Sequence, residues 1–151
     1  METTEPRAPI GLRVVRTFAA PREKVFQAWI SPEAIKKWFI TDEASWTDEP
    51  EVDARPGGHY RFRVMHQGKL CDIHGTYREV KPPERLVFTW QWENDPVRGD
   101  TGDTLVTVQF LERGGRTEVV LTHEGFSGQT VRDEHEQGWG QCLDSIGQLV
   151  S

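Results

Sequence analysis

The side chains in this sequence best equipped for chemistry are histidines and aromatic rings. Of its 5 histidines, three point inward by pattern. His66 alternates with Tyr60 and Phe62, His123 alternates with Val119 and Leu121, and His135 falls on a helical apolar stripe. An inward imidazole can act as a general base or hold a ligand carbonyl. Its plainer role is that of a hydrogen-bonded interior histidine, because buried polar groups must be paired in any protein. No HxH or HExxH spacing occurs, so a metal centre would have to collect ligands from separate strands; neither a metal nor a cofactor is expected. Glu33, Asp72, Glu79 and Glu124 form no catalytic pair by spacing, and phosphate-cradling GxGxxG or P-loop runs and a GxSxG nucleophile elbow are absent. No nucleophile stands out, which favours a binding protein over an enzyme. Arg61 and Arg63 alternate against Tyr60 and Phe62 and read as solvated strand positions, as do Lys36 and Lys37 on a helix.

The aromatic set is large: Trp 6, Phe 7 and Tyr 2 in 151 residues. Trp29, Trp38, Trp90, Trp92 and Trp139 all fall on inward faces. Rings gathered in this way can line a pocket for a lipid-like or flat aromatic molecule. They can equally be plain core, since such side chains dominate packing. The candidate lining is Trp38, Phe62, Trp90, His123, His135 and Trp139. The acidic segment from Asp42 to Asp53, with Trp46 inside it, reads either as a loop beside the pocket mouth or as a solvated connector.

These side chains need elements to carry them. Residues Met1 to Pro9 read as a loose lead-in, and residues 10–151 as one domain. Leu12 to Ala20 is strand-like. A helix follows from Pro21 to Ile30, with Val25, Phe26, Trp29 and Ile30 on one face, and Ser31-Pro32 opens a second, short helix. His59–His66, Leu70–Val80, Arg85–Glu93, Thr104–Leu111 and Thr117–Glu124 alternate as strands. Their connections are too short for helical crossovers, so neighbours must run antiparallel. Asn94 to Gly102 reads as a loop. From Val131 onward the period changes to three or four, through His135, Trp139, Cys142, Ile146 and Leu149. The result is an α+β domain: a curved antiparallel sheet of about six or seven strands, two short helices and a long C-terminal helix. A sheet with one apolar face must bury it, and only the last helix is long enough to do so. A cavity is a natural by-product where a bent sheet grips one helix.

Composition limits the possible roles. A formal net charge of −6 argues against a general nucleic-acid binder, which needs a basic face to displace counterions. No apolar run reaches the roughly 20 residues that span a bilayer, and the opening residues lack the order of a secretion signal. The expected location is the cytoplasm, with Cys71 and Cys142 as buried thiols rather than a disulfide. An unpaired sheet edge leaves both a monomer and a homodimer open.

Several runs together resemble a known superfamily. Val15-Arg16-Thr17-Phe18, Ala20-Pro21 and Val25-Phe26-Gln27-Ala28-Trp29 match the opening of START-like, Bet v 1-type proteins. Ser31-Pro32-Glu33 before Trp38-Phe39 and Arg55-Pro56-Gly57-Gly58 continue the match, followed by the run from His74 to Val80 and that from Pro82 to Trp90. Val106-Thr107-Val108, the run from Leu121 to Phe126, and Gly138-Trp139 with Leu143 complete it, in family order. Within the superfamily the chain is most similar to the activator of Hsp90 ATPase homologue 1-like group. The resemblance implies a helix-grip fold with a hydrophobic cavity. It implies three roles: uptake of a small hydrophobic ligand, stimulation of an Hsp90-type ATPase as a co-chaperone, or a polyketide cyclase or hydrolase activity with His123 or His135 as base.

Overall fold

The computed structural model describes residues 10–39, 44–66, 68–93 and 104–150. The expected lead-in and the loop expected over 94–102 lie outside the described residues, as do Asp42 and Glu43.

The chain begins with strand β1 (Ile10–Phe18), followed by helices α1 (Arg22–Ile30) and α2 (Pro32–Trp38). Pro21 is the extended residue just before α1 rather than its first turn. Ser31 separates the two helices and serves both. Its N–H donates to Gln27 O at the end of α1, while its hydroxyl accepts from Ala34 N–H at the start of α2. Pro32 disfavours helical backbone in the residue before it, so Ser31 stays extended (φ −90°, ψ 119°) and the chain turns there.

Strands β2 (Ala44–Trp46) and β3 (Glu51–Val52) both pair with β4 (His59–His66). The described part of the acidic segment, expected to be a loop beside the pocket mouth or a solvated connector, thus carries two short strands laid on β4. Strands β5 (Lys69–Lys81), β6 (Arg85–Glu93), β7 (Thr104–Arg113) and β8 (Arg116–Phe126) follow, and α3 (Gln129–Val150) ends the chain. Among the described residues the sheet has 8 strands in the order β1-β8-β7-β6-β5-β4-β2, with β3 alongside on β4. Every pairing is antiparallel. With its single apolar face covered by helices, this is the expected α+β helix-grip fold.

The β5–β6 ladder is irregular: Gly75 and Thr76 have no ladder partner on β6, and the register shifts once, between Tyr77 and Glu79. Thr76 N–H is taken instead by Thr89 Oγ1 at 2.9 Å. A Cβ on Gly75 would sit 2.0 Å from Thr89 O and 2.8 Å from the Tyr60 ring, so only glycine fits. This close approach lets Tyr60 lie across β5 and donate its hydroxyl to Thr89 O.

Helix α3 lies against β1, β8, α1 and α2. Its buried side chains, Val131, His135, Trp139, Cys142, Leu143, Ile146 and Val150, recur at helical spacing as the sequence pattern requires. Gly147 brings its backbone close to the Phe18 ring, where a Cβ would meet the ring at 3.0 Å. Among the described residues no helix is long and apolar enough to cross a membrane.

Candidate ligand site

The inward faces of the bent sheet and the helices meet in an aromatic hollow. Trp29 of α1 and Trp38 of α2 close one side, and Trp139 of α3 reaches in from another. The sheet contributes Tyr60 and Phe62 from β4, Tyr77 from β5, and Leu86, Phe88 and Trp90 from β6. All are buried. The rings interlock in tilted, edge-on and stacked pairs. Trp139 lies 4.9 Å from Trp90 and 5.9 Å from Trp29, and Trp29 lies 4.9 Å from Trp38 (centroid distances). The rings fill most of the space they enclose. About 10 Å³ remains open to the centre of a water-sized sphere, close to the least that holds one water. A ligand larger than water enters only if rings move apart.

Beside the hollow lies a polar chain whose proton positions follow from counting donors. Thr104 Oγ1 donates to Trp90 O at 2.9 Å, which commits its only hydrogen. It must therefore accept from His123 Nε2–H, 2.6 Å away. The other nitrogen, His123 Nδ1, accepts from Trp139 Nε1–H at 2.9 Å. His135 is arranged the opposite way: its Nδ1–H donates to Val131 O at 2.8 Å and its Nε2 accepts from Trp92 Nε1–H at 2.7 Å. The two imidazoles stand nearly perpendicular at 5.2 Å, both against Phe126. Burial, with the nearby His135 adding, holds His123 well below the usual imidazole range, so this ring is neutral. Burial, with Asp53 adding, likewise pushes the Tyr77 phenol up, so it also stays neutral. Both nitrogens of each histidine are engaged, and neither offers a lone pair to a substrate in this arrangement.

Four of the candidate lining residues, Trp38, Phe62, Trp90 and Trp139, meet at the hollow. His123 and His135 stand behind Trp139 and Trp90 and support those rings. The side chain of His66 lies outside what the structure describes. Trp29, Tyr60, Tyr77, Leu86 and Phe88 also line the hollow; alternation with Phe62 and Trp90 marks Tyr60, Leu86 and Phe88, the apolar face of α1 marks Trp29, and alternation with Ile73 marks Tyr77. Thr104 was missed; it starts the inward series that continues through Val106 and Val108. Trp46 is not part of a solvated connector: its ring packs on Phe39 and Phe62, and its N–H donates to Lys36 O.

The outer face of the sheet holds a different arrangement. Arg61 and Arg63 are half-buried rather than freely solvated, and both are drawn to Asp72, which is only 5% exposed. Arg61 Nε lies 3.2 Å from one carboxylate oxygen, and Arg63 Nε donates to the other at 3.2 Å. The bond and charge of Asp72 raise the Arg63 guanidinium further above its ordinary value. This fork clamps β4 to β5 across their ladder. Lys36 is also paired, with Glu49 at 2.7 Å. Cys71 and Cys142 are buried free thiols, and burial pushes the Cys142 thiol up to about 12, which keeps it protonated and unreactive. Among the described residues no group of three His, Cys, Asp or Glu side chains could hold a metal ion.

This architecture has close parallels among known proteins. The family described as activator of Hsp90 ATPase homolog 1-like protein matches residues 19–151. A protein of Rhizobium leguminosarum shares 28% identity at a TM-score of 0.81, over 93% of this chain and 93% of its own. A protein of Chromobacterium violaceum shares 25% identity at a TM-score of 0.78, over 93% of this chain and 96% of its own. CalU16 of Micromonospora echinospora shares 28% identity at a TM-score of 0.69, over 93% of this chain and 76% of its own. No curated protein matches the chain.

Proposed function

The chain belongs to the activator of Hsp90 ATPase homolog 1-like family, and we propose that it binds a small hydrophobic molecule, flat and aromatic in character, between the bent sheet and α3. The observation that carries this reading is the aromatic hollow itself. Rings from three helices and three strands converge on one point, and a few sharply placed polar groups stand beside it, as in small-molecule sites. The candidate contacts are Trp38, Phe62, Trp90 and Trp139, with His123 and His135 fixing the last two rings. The rings must part to admit the ligand, and its apolar contacts replace the ring–ring contacts that are lost.

The doubly engaged histidines favour a binder over a cyclase or hydrolase. General-base catalysis by His123 would first have to break its bond from Trp139. Two buried free thiols suit a reducing cytoplasm. Native mass spectrometry against a panel of fluorescent aromatics and fatty acids tests the reading. A one-to-one adduct with a flat aromatic is the expected result, and a folded sample that takes up none of the panel refutes it.

A second reading, a co-chaperone acting through its surface, rests on the family description. It predicts a faster Hsp90-type ATPase when the purified protein is added. An unchanged rate across a concentration series refutes it.

A further inference from the structure

Of the rings that line the hollow, Trp139 has an anchor unlike its neighbours'. Its ring packs against both Trp29 and Trp90. Trp38 Nε1–H donates to Ala28 O and the Tyr60 hydroxyl donates to Thr89 O, backbone carbonyls that move only with their elements. Trp139 Nε1–H donates instead to a side chain, His123 Nδ1. An imidazole nitrogen accepts only while it is unprotonated, so a proton can remove this anchor. Glycines also flank Trp139 on both sides in the interior of α3, where glycine weakens a helix. Close packing requires neither of them. Among the described residues nothing lies within 4 Å of a Cβ added at Gly138, and at Gly140 the nearest atom is an Arg16 guanidinium nitrogen at 3.4 Å. Their effect is to soften α3 where it carries Trp139.

The hollow has room for about one water, so a ring must move before anything larger enters. Resting on the small-molecule reading above, we propose that Trp139 is the ring that gives way and that His123 takes up a proton as it does. Displacing Trp139 breaks its bond to His123 and frees the Nδ1 lone pair, while Nε2–H stays on Thr104 Oγ1. A proton from solvent then adds to Nδ1 and makes the ring an imidazolium. In the closed arrangement burial, with the nearby His135 adding, keeps the ring neutral. Opening admits water and withdraws the indole, and both changes favour the charged form. The occupied state therefore binds more protons than the empty one, and affinity rises as pH falls. The residues that face His123 from β1, β6 and β7 are Leu12, Trp90, Val106 and Thr104, none of them titratable. From α3 it faces Trp139 and His135. His135 also accepts from an indole, but that indole belongs to Trp92, which does not line the hollow.

Naphthalene has no ionisable group, so any proton exchanged when it binds belongs to the protein. Calorimetric titration of the full chain should show tighter binding at about pH 5.5 than at about pH 7.5. The gain is up to about tenfold, the limit reached when the opened imidazole returns to its ordinary value. Titrations at about pH 6 in two buffers of different ionisation enthalpy should report net proton uptake, up to about one per ligand. In ¹H–¹⁵N spectra, binding should move the Trp139 indole signal upfield and turn His123 Nδ1 from unprotonated to protonated. His123→Gln keeps polar atoms at this position but does not titrate, and it should abolish both the pH dependence and the uptake. Affinity that is flat or weaker towards acid in the wild type overturns the proposal while leaving the hydrophobic site standing. So does undiminished proton uptake in His123→Gln. Failure of naphthalene to bind at either pH removes the small-molecule reading with it. The wild-type titrations and the His123 signal decide even if the variant does not fold.

Discussion

His123 shows how one residue can set the pH response of the whole domain. Its ring is fully buried, neutral, and bonded to Thr104 on one side and Trp139 on the other. Its folded pKa lies below the ordinary imidazole value of about 6.5. As pH falls through that value the unfolded chain takes up a proton that the folded chain refuses. The stabilisation is therefore complete above about pH 7 and is lost on acidification, by up to ~1.4 kcal/mol per pH unit, until the depressed folded value is reached. Urea denaturation across this window should show a falling midpoint. His123→Gln should be less stable at neutral pH by about 1–3 kcal/mol, because Trp139 and Thr104 lose their partner. Its acid slope should nevertheless be shallower, and an equal slope in both proteins would place the titration elsewhere.

Among the elements, the close approach of β4, β5 and β6 at Gly75 bears most on the candidate site. Gly75 allows the Tyr60 ring and the Thr89 carbonyl to approach the same backbone point, and the Thr76 N–H leaves the ladder for the Thr89 hydroxyl. A methyl group at 75 must push β6 away, so Gly75→Ala should cost about 2 kcal/mol or more in chemical denaturation. An unchanged midpoint would show that the strands have room to spare there. The fork of Arg61 and Arg63 on Asp72 joins β4 to β5 and resists their separation.

At the scale of the molecule, the sheet and α3 form two sides of one container that is nearly full when empty of ligand. Any occupant must therefore be bound at the expense of ring–ring contacts, and uptake and stability are linked. A ligand that binds only the folded state raises the unfolding free energy by about 2.7 kcal/mol at a concentration one hundred times its Kd. The expected outcome with a flat aromatic ligand is a rise in Tm that grows with the logarithm of its concentration. A flat response over the range where calorimetry reports saturation would mean that the molecule sits on the surface.

The fold could be read from the sequence because its signals are local. Alternation along His59–His66 and Arg85–Glu93, the Ser31-Pro32 break and the helical stripe through His135 and Trp139 each depend on neighbours within a few residues. The inward direction of Trp38, Phe62, Trp90 and Trp139 follows from the same periods. Tertiary structure alone decided which partner each polar group met. Arg61 and Arg63 looked solvated because alternation gives a face and not a partner, and Asp72 comes from another strand. Strands β2 and β3 were hidden because segments of three and two residues are too short for any period to show. The same holds for the indoles that meet His123, His135 and the Lys36 carbonyl, and for a hollow with room for about one water. Volume and hydrogen-bond partners are sums over residues far apart in the chain, and no local pattern contains them.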